Sequence, residues 1–143
     1  MKHLRLLLVA IAFCLTSCTT TQSLYYWGGT SGDATKYEAL AYKNYDAQSP
    51  ESICELVCLY EDMVTHPGGT RKVVPPGICA EYGYLLLQPS TVEAFDKHAT
   101  KKQRKMMASV DFAQRGAEML RKEMELYPES VKFIEPLLKR LQK

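Results

Sequence analysis

Apolar positions along this chain recur at three- and four-residue steps, not at every second residue, and the pattern predicts helices. From Thr35 to Tyr45, one stripe carries Tyr37, Leu40, Ala41 and Tyr45. Ser49 is placed to cap a second helix, with Pro50 at its first position and Glu51 and Glu55 in its early turns. Ile53, Leu56, Val57, Tyr60 and Val64 form its apolar face, and it must end before Pro67-Gly68-Gly69. Val74-Pro75-Pro76-Gly77 forbids helix before it and suits helix entry after it, into the small and apolar run Ile78 to Leu87. A strand is the competing reading of that run, weakened by Gly83. Between about Val110 and Tyr127, Phe112, Ala113, Gly116, Ala117, Leu120 and Met124 repeat with helical period until Pro128 closes the segment. A last helix is expected from Ser130 to Leu141, with Ile134, Leu137, Leu138 and Leu141 on one face and Pro136 forcing a kink or a late start. Ser90 to Met107 forms an extra, inserted helical segment, and the Gly/Ser/Asp stretch up to Thr35 reads as loop. The class is therefore all-α: short antiparallel helix pairs with an insertion.

The N-terminus follows a different pattern. Lys2, His3 and Arg5 precede an apolar run, Leu6 to Leu15, that closes on Leu15-Thr16-Ser17-Cys18. About 10 apolar residues are too few for a spanning helix, which needs about 20. The layout is that of a secretory leader with a lipobox. Cleavage before Cys18 would leave its thiol to carry diacylglycerol and its amine to be acylated. An ordinary secreted protein cut near Ala12 is the alternative, and it lacks an equally well placed small-x-small site. The expected organisation is a signal peptide at 1–17, a lipidated tether with an aromatic-glycine segment at 18–34, and a helical domain at 35–143. Three acyl chains exceed the roughly two hydrophobic signals that make anchoring stable. With Thr19, not aspartate, after the cysteine, the expected address is the outer membrane, facing the periplasm.

Charge and cysteine usage narrow the function classes. The whole chain carries 18 basic and 16 acidic groups, and the leader takes Lys2 and Arg5 with it, so the remaining 126 residues are formally neutral. A nucleic-acid binder would show a basic surplus. Cys54, Cys58 and Cys79 would face an oxidising compartment. Cys54 and Cys58 share a helix face at a spacing that resists bridging. A disulfide from Cys79 to one of them is one reading and buried free thiols the other. No ligand spacing for zinc is present, and no metal or cofactor is expected beyond the lipid on Cys18.

Two spacings resemble a tetratricopeptide repeat: small residues Ala80 and Gly83 on one helix, Ala113, Gly116 and Ala117 on the next, and Leu126-Tyr127-Pro128-Glu129-Ser130 at the exit. The stretch from Pro76 to Pro128 exceeds the ~34-residue repeat, so Ser90 to Met107 reads as an insertion between paired helices. The pair from Thr35 to His66 must then supply the neighbour that buries the unit's open face. The mature chain also resembles a family of short bacterial lipoproteins with a domain of unknown function. The resemblance rests on Cys18, Tyr26-Trp27-Gly28, Pro75-Pro76-Gly77, Tyr127-Pro128-Glu129-Ser130 and Leu137-Leu138 in that order. It implies a helical, repeat-like lipoprotein encoded beside a lipoprotein similar to the curli secretion pore, with companion lipoproteins as protein partners. It supplies no catalytic residues.

The candidate contact residues are Tyr25, Tyr26, Trp27 and Tyr84. For the first three, core packing, a partner hot spot and the membrane interface are all open readings. The run containing Lys101, Lys102, Arg104 and Lys105 is either a solvated helix face or a contact for lipid phosphates or an acidic partner. Met106 and Met107 beside it are core fillers or adaptable contacts. Gly68-Gly69-Thr70-Arg71-Lys72 lacks P-loop spacing, no nucleophile elbow is present, and His66 and His98 are isolated. The chain is thus expected not to be an enzyme but an anchored protein-binding adaptor. The alternative is a structural envelope lipoprotein that touches peptidoglycan or lipid through its basic insertion.

Overall fold

The structure, a computed structural model, describes residues 22–141. The expected leader and the expected lipidation site, Cys18, lie outside the described residues. Within them the fold is almost entirely helical. A two-stranded antiparallel hairpin, β1 (Thr30–Ser31) and β2 (Ala34–Thr35), precedes seven helices: α1 (Lys36–Ala47), α2 (Pro50–Thr65), α3 (Ile78–Leu86), α4 (Pro89–His98), α5 (Lys101–Met106), α6 (Phe112–Leu126) and α7 (Val131–Leu141). The hairpin replaces the loop expected there. Gly32, at φ +62°, takes the first turn position, which tight primed turns require.

Local chemistry sets most boundaries. Thr35 and Glu38 form a reciprocal capping box on α1, Glu38 N donating to Thr35 Oγ1 at 3.2 Å and Thr35 N to Glu38 Oε2 at 2.8 Å. Ser49 caps α2 by accepting from Ser52 N, with Pro50 at the first helical position. The run Ile78 to Leu86 is helix, not strand, and starts from Gly77 at φ +86°. Gly77 has no side chain to cap the helix. That role falls to Glu123 of α6, whose Oε1 accepts from Gly77 N at 2.7 Å. The segment read as an insertion is two helices, α4 and α5, the second started by a Thr100–Gln103 capping box. The expected last helix begins with a 3₁₀ turn, Pro128–Ser130, and α7 then runs through Pro136.

α2 is the centre of the molecule, packed by α1, α3, α4 and α5. Val57, Met63, Cys79, Tyr82 and Met119 are fully buried in the cluster around it. α3 makes its most extensive contact with α6, across the intervening α4 and α5, as the small-residue pattern expects. The two backbones meet at Gly83 and Gly116. A Cβ on Gly83 would stand 2.7 Å from Gly116 O, and one on Gly116 2.9 Å from Gly83 O. A smaller cluster, Leu120, Ile134 and Leu138, fastens α7 to α6.

One expectation about α1 is corrected: it buries no residue fully, and Tyr45, expected on its inner stripe, is 83 % exposed. Its inward contacts are the half-buried Tyr37 and Leu40.

Candidate functional site

The aromatic segment before the hairpin lies on the surface of the helical domain. Its backbone pairs with the loop after α2: Thr70 N donates to Ser23 O at 3.1 Å and Arg71 N to Leu24 O at 3.0 Å. Gly69 permits this docking, since its φ is +75° and a Cβ there would lie 2.5 Å from Leu24 O. The glycine-basic stretch Gly68 to Lys72 is therefore a docking loop for the N-terminal segment. Farther on, Tyr37 N donates to Trp27 O at 3.2 Å and Lys36 N to Gly29 O at 2.9 Å, joining the segment to the start of α1.

From here a ladder of rings runs into the core. Centroid separations are 6.3 Å for Tyr25–Trp27, 5.3 Å for Trp27–Tyr37, 6.2 Å for Tyr37–Tyr60 and 5.7 Å for Tyr60–Tyr82. These spacings suit aromatic pairing, and each inner hydroxyl has a carboxylate to donate to. Tyr37 Oη and Tyr60 Oη both donate to Glu81, the latter at 2.6 Å. Tyr82 Oη donates to Glu61 at 2.7 Å, and Glu61 receives the Arg115 guanidinium through two bonds of 2.9 and 3.2 Å. Burial first, and the neighbouring carboxylate second, push the Tyr37 hydroxyl up to about 12 and raise Tyr60 and Tyr82 further. All three are fixed neutral donors at physiological pH. The core reading thus holds for part of the aromatic segment: Trp27 packs against Tyr37, and Tyr26 Oη donates to Asp62 at 2.9 Å. Tyr25 is held by Arg71, whose Nη1 donates to its hydroxyl at 3.0 Å.

The outer sides of these rings stay open. A shallow groove of about 620 Å³ is lined by Tyr25, Tyr26, Trp27, Thr30, Gly69 and Lys72. A second surface lies on α1, where Tyr42 and Tyr45 are 77 % and 83 % exposed and border a depression of about 480 Å³ with Tyr37 and Ala41. Tyr45 also edges a 510 Å³ cleft toward Ile53, Leu85 and Thr91. Tyr42 was missed by the sequence reading, although a tyrosine three residues before Tyr45 on the same helix was the available signal.

The other candidates separate. Tyr84 is half-exposed on α3 and lines none of these three depressions. Lys101, Lys102 and Lys105 are exposed on α5, and Lys102 and Lys105 rim a 950 Å³ groove with Cys58 and Met106 at its wall. Arg104 does not share their role. Its guanidinium donates to Ala99 O at 3.0 Å and to Asp96 O, closing the corner between α4 and α5. Met107 is core and Met106 surface. Cys54 and Cys79 are buried free thiols and Cys58 a half-buried one. Burial pushes Cys58 and Cys79 up to about 11 and raises Cys54, and the Cys54 thiol faces Ala94 O at 3.5 Å. His66 and His98 sit beside Asp62 at 3.2 Å and Glu51 at 3.0 Å, both on the surface. Among the described residues no group of three or more His, Cys, Asp or Glu side chains is gathered to hold a metal, and no helix is long and apolar enough to cross a membrane.

A scan against protein-family models, a search of curated proteins and a search of solved structures each return no match to this chain.

Proposed function

We propose that this chain is a lipid-anchored envelope protein that binds other proteins: an adaptor or assembly lipoprotein held at the outer membrane by acylated Cys18. Its helices act as a tetratricopeptide-like scaffold, with α3 and α6 as one pair, α1 and α2 as the neighbouring pair, and α4 and α5 as the insertion. Its partners are companion lipoproteins of the curli-pore type, and it carries no catalytic role. The observation that supports the reading is the pair Tyr42 and Tyr45. Both rings stand in solvent beside an apolar depression, although neither is needed by the core. Tyrosine is enriched among the residues that dominate interface energies because a large rigid ring buries much area at small entropic cost. Confinement to the membrane plane raises effective concentration, so such a small patch is sufficient for a membrane-bound partner.

The test is crosslinking of the lipidated protein in its native membrane, followed by purification and identification of what accompanies it. Tyr42→Ser with Tyr45→Ser is the contact variant and Cys18→Ala the unanchored control. One or two stoichiometric envelope proteins, lost in the tyrosine variant with the melting temperature unchanged, support the reading. Recovery of the same partners with the tyrosine variant sinks the assigned surface. An empty pull-down with the protein still held by sacculi favours the structural alternative.

A further inference from the structure

We infer that the aromatic groove at the N-terminal segment is the face this protein lays against its own membrane, an anionic phospholipid surface. The inference rests on the lipid anchor proposed above. Cys18 stands four residues before Gln22, and an extended residue spans at most ~3.6 Å. The entry to the groove is thus held within about 14 Å of the acylated cysteine, inside or beside the headgroup layer. The apolar and aromatic side chains at that entry suit such a layer. Leu24 is 56 % exposed, an apolar side chain that the fold leaves in water. Tyr25, Tyr26 and Trp27 line the groove, and amphipathic rings of this kind favour the headgroup level, with an apolar body and a polar tip.

The charges around the groove have the right sign. Lys72 lines it, and Lys36 Nζ lies at its edge, 3.9 Å from where a Cβ on the lining Gly29 would stand. Neither lysine has a carboxylate within ion-pair distance among the described residues. The nearby acids are already occupied: Glu38 by its capping box with Thr35, and Asp62 by Tyr26 and His66. Asp33 at the hairpin tip is the exposed exception. Backbone bonds from Thr70 and Arg71 keep the segment flat on the domain, so the face is rigid. Lipid contact here would fix the orientation of the domain as well as its distance from the bilayer.

The experiment uses the full lipidated chain in vesicles of phosphatidylethanolamine with and without phosphatidylglycerol. Trp27 is the single tryptophan, so its emission reports on this face alone. Acyl-chain-brominated lipids should quench Trp27 when phosphatidylglycerol is present. Lys36→Glu with Lys72→Glu should remove more than roughly half of that quenching, as should high salt, because the contact is electrostatic. Leu24→Ser should weaken it without changing the melting temperature. A protein that floats with the vesicles while Trp27 stays unquenched overturns the docked face and leaves the anchor standing. Equal quenching in the charge-reversed chain also overturns it, since tethering alone then brings Trp27 to the lipid. A chain that does not float removes the anchor reading and the docked face together.

Discussion

Gly83→Ala sets two forces in opposition at the crossing of α3 and α6. Helix propensity alone favours alanine over glycine by about 1 kcal/mol in a helix interior. The new methyl would stand 2.7 Å from Gly116 O, 2.9 Å from Leu120 Cγ and 3.1 Å from Leu120 N. Two of those three atoms are backbone of α6 and cannot swing away, so the helices must separate. Overpacking of this kind costs about 1–3 kcal/mol, and the rigid neighbours place it near 3. The balance is a destabilisation of about 2 kcal/mol, or about 8 °C in melting temperature at ~4 °C per kcal/mol for a domain of this size. Gly116→Ala should cost less, because it meets one backbone atom, Gly83 O at 2.9 Å, and otherwise the Leu87 side chain at 2.7 Å, which can turn. Thermal and urea unfolding followed by circular dichroism measure both variants. A melting temperature that rises in Gly83→Ala, or a larger loss in Gly116→Ala, would refute the close-approach argument.

Three further predictions rest on buried polar groups. Glu123 is buried, and desolvation raises its carboxyl above the ordinary value of 4.5, with the Gly77 amide opposing. The folded state therefore holds this proton more tightly than the unfolded state, and the stability this confers is full below about 4.5 and lost as pH rises through the raised value. Glu123→Gln, which keeps the acceptor for Gly77, should match the wild type at low pH and exceed it in urea unfolding at pH 7, while Glu123→Ala should lose about 1–2 kcal/mol with the cap. A wild-type advantage over Gln that grows with pH would contradict this. Arg115→Met leaves Glu61 without its bidentate partner and should cost roughly 3 kcal/mol, most of it recovered when Glu61→Gln is added; additive losses in the double-mutant cycle would speak against coupling. With their thiols raised by burial, Cys54, Cys58 and Cys79 should be alkylated by iodoacetamide far more slowly in the folded protein than in urea, the half-buried Cys58 leading in a mass-spectrometric time course; fast labelling of Cys79 would exclude a closed core.

Helix starts were legible in the sequence wherever a local hydrogen bond or a proline dictates them. Ser49-Pro50 and the Pro-Pro-Gly entry are such cases, because cap and ring chemistry act within one turn. The pairing of α3 with α6 was readable for a different reason: glycine and alanine at helical spacing are useful chiefly where another backbone comes close. Contacts that join distant segments left no such trace. Nothing local links Glu123 to Gly77, or Glu61 to Arg115, 46 and 54 residues apart. The hairpin strands are two residues each, too short to show a period. Arg104 lies in a run of similar cations, and only the folded corner between α4 and α5 distinguishes it. As for the candidate site, the aromatic segment was visible as composition, whereas its bonds to residues 70 and 71, which turn it into a surface, are long-range.

The C-terminal helix bears on how the chain unfolds. The larger cluster around α2 is closed by α3, α4 and α6 without any residue of α7, which adheres through Ile134 and Leu138 against Leu120. Pro136 within α7 also lacks the amide that would complete the ladder. A module held so lightly opens at a lower free energy than the body that carries it. Amide exchange in α7 should therefore outpace exchange in α2, and the two ends of the molecule need not melt on a single curve, so that a fit to one all-or-none transition would average two events.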